Sequence, residues 1–112
     1  MNILKIFRRA EWDHLRTAGQ TFGAPVDLAD GYIHFSTPAQ VTETAARHFA
    51  TESDLVLVAA DPAKLGGALK WEASRGGALF PHLYRPLMLA DVVWDKSLPL
   101  GATGHIFPEG VL

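Results

Sequence analysis

The chain has 112 residues, 48% apolar and 20% charged, with a formal net charge of -2, which is the make-up of one ordinary globular domain. It has no cysteine, and this excludes a disulfide framework, a cysteine nucleophile and any thiolate metal site. The slight acidity gives no overall drive toward nucleic acid, and no apolar run reaches bilayer length.

The first apolar stretch, "NILKIF" (2–7), alternates as a strand does. "RRAEWDHLRTAG" (8–19) then changes to helical spacing, with Trp12, Leu15 and Ala18 on one face and Gly19 as the stop. Arg8, Arg9 and Arg16 interleave with Glu11 and Asp13, as on a solvated helix face. Charge follows the apolar residues here and no small-residue cleavage site is present, so no signal peptide is expected. "TFGAPVDLADG" (21–31) reads as a long polar connection ending in an Asp30-Gly31 turn, and "YIHFS" (32–36) as a short strand.

The helix after it is the best-marked element. Thr37 stands as N-cap, Pro38 as first residue and Gln40 at the capping-box position, with Val41, Ala45 and Phe49 on the apolar face. "LVLVAA" (55–60) reads as a central strand covered on both sides, and Asp61-Pro62 as the start of one helical turn. "ALKWEAS" (68–74) alternates, with Leu69, Trp71 and Ala73 opposite Lys70 and Glu72. "RGG" is a turn, and Pro81 places "ALFPHLY" (78–84) at a sheet edge or in an ordered loop. "PLMLADVVWD" (86–95) reads as a last strand, and the Pro- and Gly-rich tail, about 97–112, as irregular and partly docked. The order β-α-β-α-β-β-β, with turns too short for parallel crossovers, predicts a single α+β domain with a mostly antiparallel sheet and two main helices.

Two stretches carry chemistry. Alternation puts Tyr32 and His34 on one face of their strand, with Ser36 and Thr37 following at the junction with the helix. An imidazole, two hydroxyls and a helix N-terminus around one spot suit an anion or a ribose. A helix cap, a supported turn and a half-buried histidine use the same residues. In "FPHLYRPL" (80–87), Phe80, His82 and Tyr84 share a face beside Arg85, an arrangement able to stack a flat ring, and equally one able to fill a core. Glu72 reads either as a base on the ligand side of a sheet or as a solvated partner of Lys70. No phosphate-loop, dinucleotide-loop, serine-hydrolase or zinc-helix motif is present. His34 and His82 lack an obvious third metal ligand, so no metal is expected.

"DGYIHFSTPAQV", "KWEAS" and "FPHLY", in that order and spacing, resemble the small bacterial family catalogued as domain of unknown function 952. The resemblance covers the chain from its first strand to about Leu89. It implies a distant relative of the ADP-ribosyltransferase fold, an α+β structure whose split sheet clasps NAD. On that resemblance His34 contacts the ribose on the nicotinamide side, Ser36 and Thr37 follow as small hydroxyl residues, and His82 or Tyr84 packs on nicotinamide. Glu72 departs from the pattern, because the catalytic glutamate of the well-known transferases lies later in the chain.

The resulting expectation is a cytoplasmic protein whose cleft binds NAD or a related nucleotide-phosphate, with no nucleic-acid or membrane partner. His34, Ser36 and Thr37 line one wall, and Trp71, His82, Tyr84 and Arg85 the other. Arg85 meets a phosphate, and His34, His82 and Glu72 are the catalytic candidates for an ADP-ribosyltransferase-like glycosyl or phosphoryl transfer. The alternatives are a non-catalytic module that binds a small molecule or protein through the same surface, and a histidine-based metal enzyme.

Overall fold

A computed structural model describes the chain from Met1 to Leu112 except the side chain of Arg75. Its elements are β1 (Ile3–Arg8), α1 (Arg9–Ala18), β2 (Gln20–Thr21), α2 (Pro25–Asp30), β3 (Ile33–His34), α3 (Pro38–His48) and β4 (Leu55–Ala60). Then follow α4 (Pro62–Leu65), β5 (Leu69–Ala73), β6 (Leu79–Leu83), β7 (Leu87–Met88), β8 (Val92–Leu98), β9 (Leu100–Gly101) and β10 (Gly104–His105). The class is α+β, and every strand pairing is antiparallel.

The core is built on β4, in which all six residues are buried. It lies between β1 and β8. Val56, Val58 and Ala60 pack with Trp12 and Leu15 of α1, while Leu55, Leu57 and Ala59 pack with Val41 and Ala45 of α3. A strand sandwiched in this way needs apolar side chains on both faces, which is why "LVLVAA" shows no alternation.

A second three-stranded sheet runs in the order β3-β6-β5. The two sheets meet where β3 ends: Leu4 and Ser36 exchange backbone hydrogen bonds of 2.8 Å in both directions. Beyond His34 the chain therefore leaves one sheet for the other, and the histidine sits at the seam.

Four expectations are corrected. The connection 21–31 contains α2, with Pro25 at its first turn and Gly31 closing it at φ 84°. Pro81 lies in the central strand of its sheet, not at an edge. Its carbonyl accepts from Phe35 N–H at 3.0 Å, so the N–H it lacks faces Phe35, just past the end of β3, and no regular ladder bond is lost. The segment 86–95 is two strands rather than one, because Asp91 accepts from Met88 N–H and binds Arg85, turning the chain between them. The tail holds more order than expected: β8 continues to the fully buried Leu98, and β9 and β10 form a small hairpin. Phe107 and Val111 dock against the core as expected. The turn at 75–77 is present, closed by Gly77 N–H to the Ser74 carbonyl at 2.9 Å.

Candidate functional site

In antiparallel register His34 stands directly opposite His82, so the two imidazoles share one face, with ring centroids 5.4 Å apart. The ring of Tyr32 packs against both, 4.6 Å from His34 and 4.2 Å from His82, and lies 5.1 Å from Tyr84.

Each imidazole is held from behind by a carboxylate. For His34 this is Asp27 of α2, which is 1% exposed. Its Oδ1 accepts from the His34 backbone N–H at 3.0 Å and faces His34 Nδ1 at 2.6 Å. Its Oδ2 accepts from Lys5 Nζ at 2.8 Å and from Ala24 N–H at 2.7 Å. Burial pushes this acid up, but the His34 hydrogen bond and the Lys5 charge outweigh it, bringing the carboxyl from 3.8 to about 2. The neighbouring backbone is shaped for this contact. Gly23 has φ +97°, and a Cβ there would lie 2.1 Å from Asp27 Oδ2.

For His82 the carboxylate is Glu72, whose Oε1 faces Nδ1 at 2.9 Å and accepts the Tyr84 hydroxyl at 2.6 Å. The Tyr84 and His82 hydrogen bonds hold the Glu72 carboxyl below its ordinary value, and the Glu72 hydrogen bond pushes the Tyr84 phenol up to about 12. A carboxylate can only accept, so Nδ1 of His82 carries the hydrogen and Nε2 of the neutral ring is an acceptor. His82 is 3% exposed, and its Nε2 has no hydrogen-bond partner among the described residues. His34 differs: its Nε2 faces Asp30 Oδ2 at 2.9 Å, so carboxylates stand at both ring nitrogens.

Both histidines line a cavity of about 730 Å³, together with Lys5, Arg8, Asp30 and Ser36. The two do not form opposing walls as expected. Cross-strand pairing makes them neighbours in one wall, and β1 and the start of α2 contribute others.

The remaining candidates divide. Ser36 lines the cavity, its hydroxyl paired with Thr44 at 2.9 Å. Thr37 stands at the N-cap outside the lining; its N–H donates to Gln40 Oε1 at 3.0 Å, so the helix start is capped from within. Trp71 pairs with Pro81, on the sheet face opposite Glu72 and His82, and is 41% exposed. Tyr84 and Arg85 line a separate hollow of about 170 Å³. The Arg85 guanidinium is engaged by Asp91 at 2.8 and 3.2 Å and by the Pro86 carbonyl, not held ready for a phosphate. Among the described residues no three His, Asp or Glu side chains form a metal ligand set.

Lys5, Asp27 and Asp30, which complete the surroundings of His34, are residues that the sequence did not single out. A signal for α2 was present: Pro25 and Gly31 bracket it in the usual helix-start and helix-stop positions. Nothing local announced that Lys5, twenty-two residues away, would meet Asp27.

The family described as "Protein of unknown function (DUF952)" matches residues 6–95. The crystal structure of protein CC0527 from Caulobacter crescentus is 51% identical, with a TM-score of 0.90 over 94% of this chain and 92% of that one. The solution NMR structure of CC0527 is 52% identical, with a TM-score of 0.83 over 93% and 90% of the two chains. Among curated proteins nothing matches. No helix of the structure is long and apolar enough to cross a membrane.

Proposed function

The chain belongs to the DUF952 family of proteins of unknown function, and we propose that its cavity binds a nucleotide-phosphate ligand of the NAD class and acts on it through His34 and His82. One observation carries this reading: two imidazoles on the same cavity wall, 5.4 Å apart, each with Nδ1 against a carboxylate. Carboxylate-backed histidines are the usual means of placing a proton donor and a proton acceptor at a reacting centre. The volume of about 730 Å³ lies within the range of ligand sites. Two small sheets meeting at Leu4 and Ser36 fit the split sheet of the ADP-ribosyltransferase fold.

In this reading His82 Nε2 takes a proton from a ligand or acceptor hydroxyl, and His34 returns one. Asp27 and Glu72 orient the rings and are positioning residues. Ser36 and Phe80 fill out the cavity wall. Bound NAD supplies a glycosidic bond and a diphosphate, so the reaction class is glycosyl or phosphoryl transfer. Arg85 takes no part, since Asp91 already satisfies its guanidinium.

A titration of the protein with NAD, followed by amide and imidazole NMR, tests this. Saturable shifts at His34, Ser36, Phe80 and His82 are expected, and flat spectra at millimolar NAD overturn the reading. The exposed Phe22, Leu28 and Tyr84 around the smaller hollow favour a second reading in that event: a non-catalytic module that takes a small molecule or protein on this face.

A further inference from the structure

His34 has a carboxylate at each ring nitrogen. Asp27 faces its Nδ1 from the interior, and Asp30 faces its Nε2 from the cavity side. Lys5 already answers the charge of Asp27, so the carboxylate left to face an incoming anion is Asp30. The nearest cation on β1, Lys5, is buried and held by Asp27 at 2.8 Å. Arg8, further along the same wall, is engaged by Glu52 at 2.7 and 3.0 Å and by Glu11.

Asp30 is also placed to meet a ligand. It is the last residue of α2, four positions before His34, and its side chain is 44% exposed. Its Oδ2 faces the imidazole, while Oδ1 has no hydrogen-bond partner among the described residues. In the same wall stands His82, whose Nε2 has no hydrogen-bond partner among the described residues. An anion approaching His34 Nε2 must displace one carboxylate and remain beside it. A hydroxyl can instead donate to Asp30 and so reach the His34 end without bringing negative charge to it.

We propose that Asp30 sets the specificity of the His34 end of the cavity, admitting hydrogen-bond-donating groups such as the hydroxyls of an unphosphorylated ribosyl unit and turning phosphate away. This rests on the nucleotide reading and narrows it. On that reading the phosphates of the ligand lie away from the His34 end.

The test is Asp30→Asn in the full chain, titrated with inorganic phosphate, adenosine and NAD while the His34 ring is followed by ¹⁵N NMR. Asp30 is on the surface, and an unchanged backbone spectrum checks the fold; Asp30→Ser serves as a second variant. In the wild-type protein His34 is expected to respond to adenosine and NAD and to ignore phosphate. In the variant, removing one charge at about 4 Å raises phosphate affinity on the order of tenfold, and adenosine affinity falls. Equal phosphate binding by both proteins, or none by either, overturns the assignment. If the variant gains phosphate while the wild type ignores NAD and adenosine, Asp30 keeps its role and the nucleotide reading falls. NAD binding with unchanged phosphate behaviour has the reverse meaning.

Discussion

Replacing Asp27 by Asn tests the foundation of the site. The native carboxylate accepts four hydrogen bonds and neutralises Lys5, which is 6% exposed. Asparagine keeps the shape but leaves the Lys5 ammonium buried without a counter-charge, and breaking such a pair costs about 3–5 kcal/mol. Part of that loss depends on pH. The carboxyl titrates at about 2 in the folded chain against an ordinary 3.8, so its differential stabilisation is about 2 kcal/mol. Because the folded value is the lower one, this contribution is complete above the ordinary value and disappears as pH falls through about 4 to about 2. The assay is urea unfolding of wild type and Asp27→Asn across that interval. The gap between their stabilities should narrow by about 2 kcal/mol on acidification, a difference that cancels other carboxylates such as Asp91 and Glu52. A gap independent of pH would refute the assignment of that lowered carboxyl to the His34–Lys5 contacts.

Four further outcomes follow from the same geometry. Gly23→Ala puts a Cβ 2.1 Å from Asp27 Oδ2 at a positive φ and should cost more than about 2 kcal/mol in urea unfolding. Gly67→Ala, with open space around it, should stay within about 0.5 kcal/mol. Glu72→Gln replaces the charged acceptor that holds the Tyr84 phenol at about 12 with a neutral one, so its titration, followed by NMR, should fall toward the ordinary 10. Trp71→Ala, on the far face of its sheet, should leave NAD-induced shifts at His34 and His82 unchanged.

How much of this the sequence disclosed depended on range. The faces of Tyr32, His34, His82 and Tyr84 follow from two-residue alternation and were legible. So were β4, whose unbroken apolar run reports burial on both sides, and the start of α3, where Pro38 and Gln40 act within one turn. Trp71 could have been excluded by the same rule, since neighbours on a strand point to opposite faces and Glu72 faces His82. Pro81 misled because its missing donor matters only where a partner strand continues, and β3 ends there. Helix α2 is too short for periodicity to register, which hid Asp27 and Asp30. The pairing of Arg85 with Asp91, across a turn between two strands, was beyond any local pattern. The histidines and Glu72 were readable as candidates, but Asp27, Asp30 and Asp91, which hold His34 and Arg85, were not, because tertiary contacts place them.

The most direct measurement of the central claim is the tautomer of His82, read by long-range ¹⁵N–¹H NMR of its ring before and after addition of NAD. The hydrogen should lie on Nδ1, facing Glu72, and the Nε2 resonance should move saturably as NAD binds. A hydrogen on Nε2 in the free protein, or an Nε2 signal indifferent to NAD, would contradict a carboxylate-backed base facing the cavity.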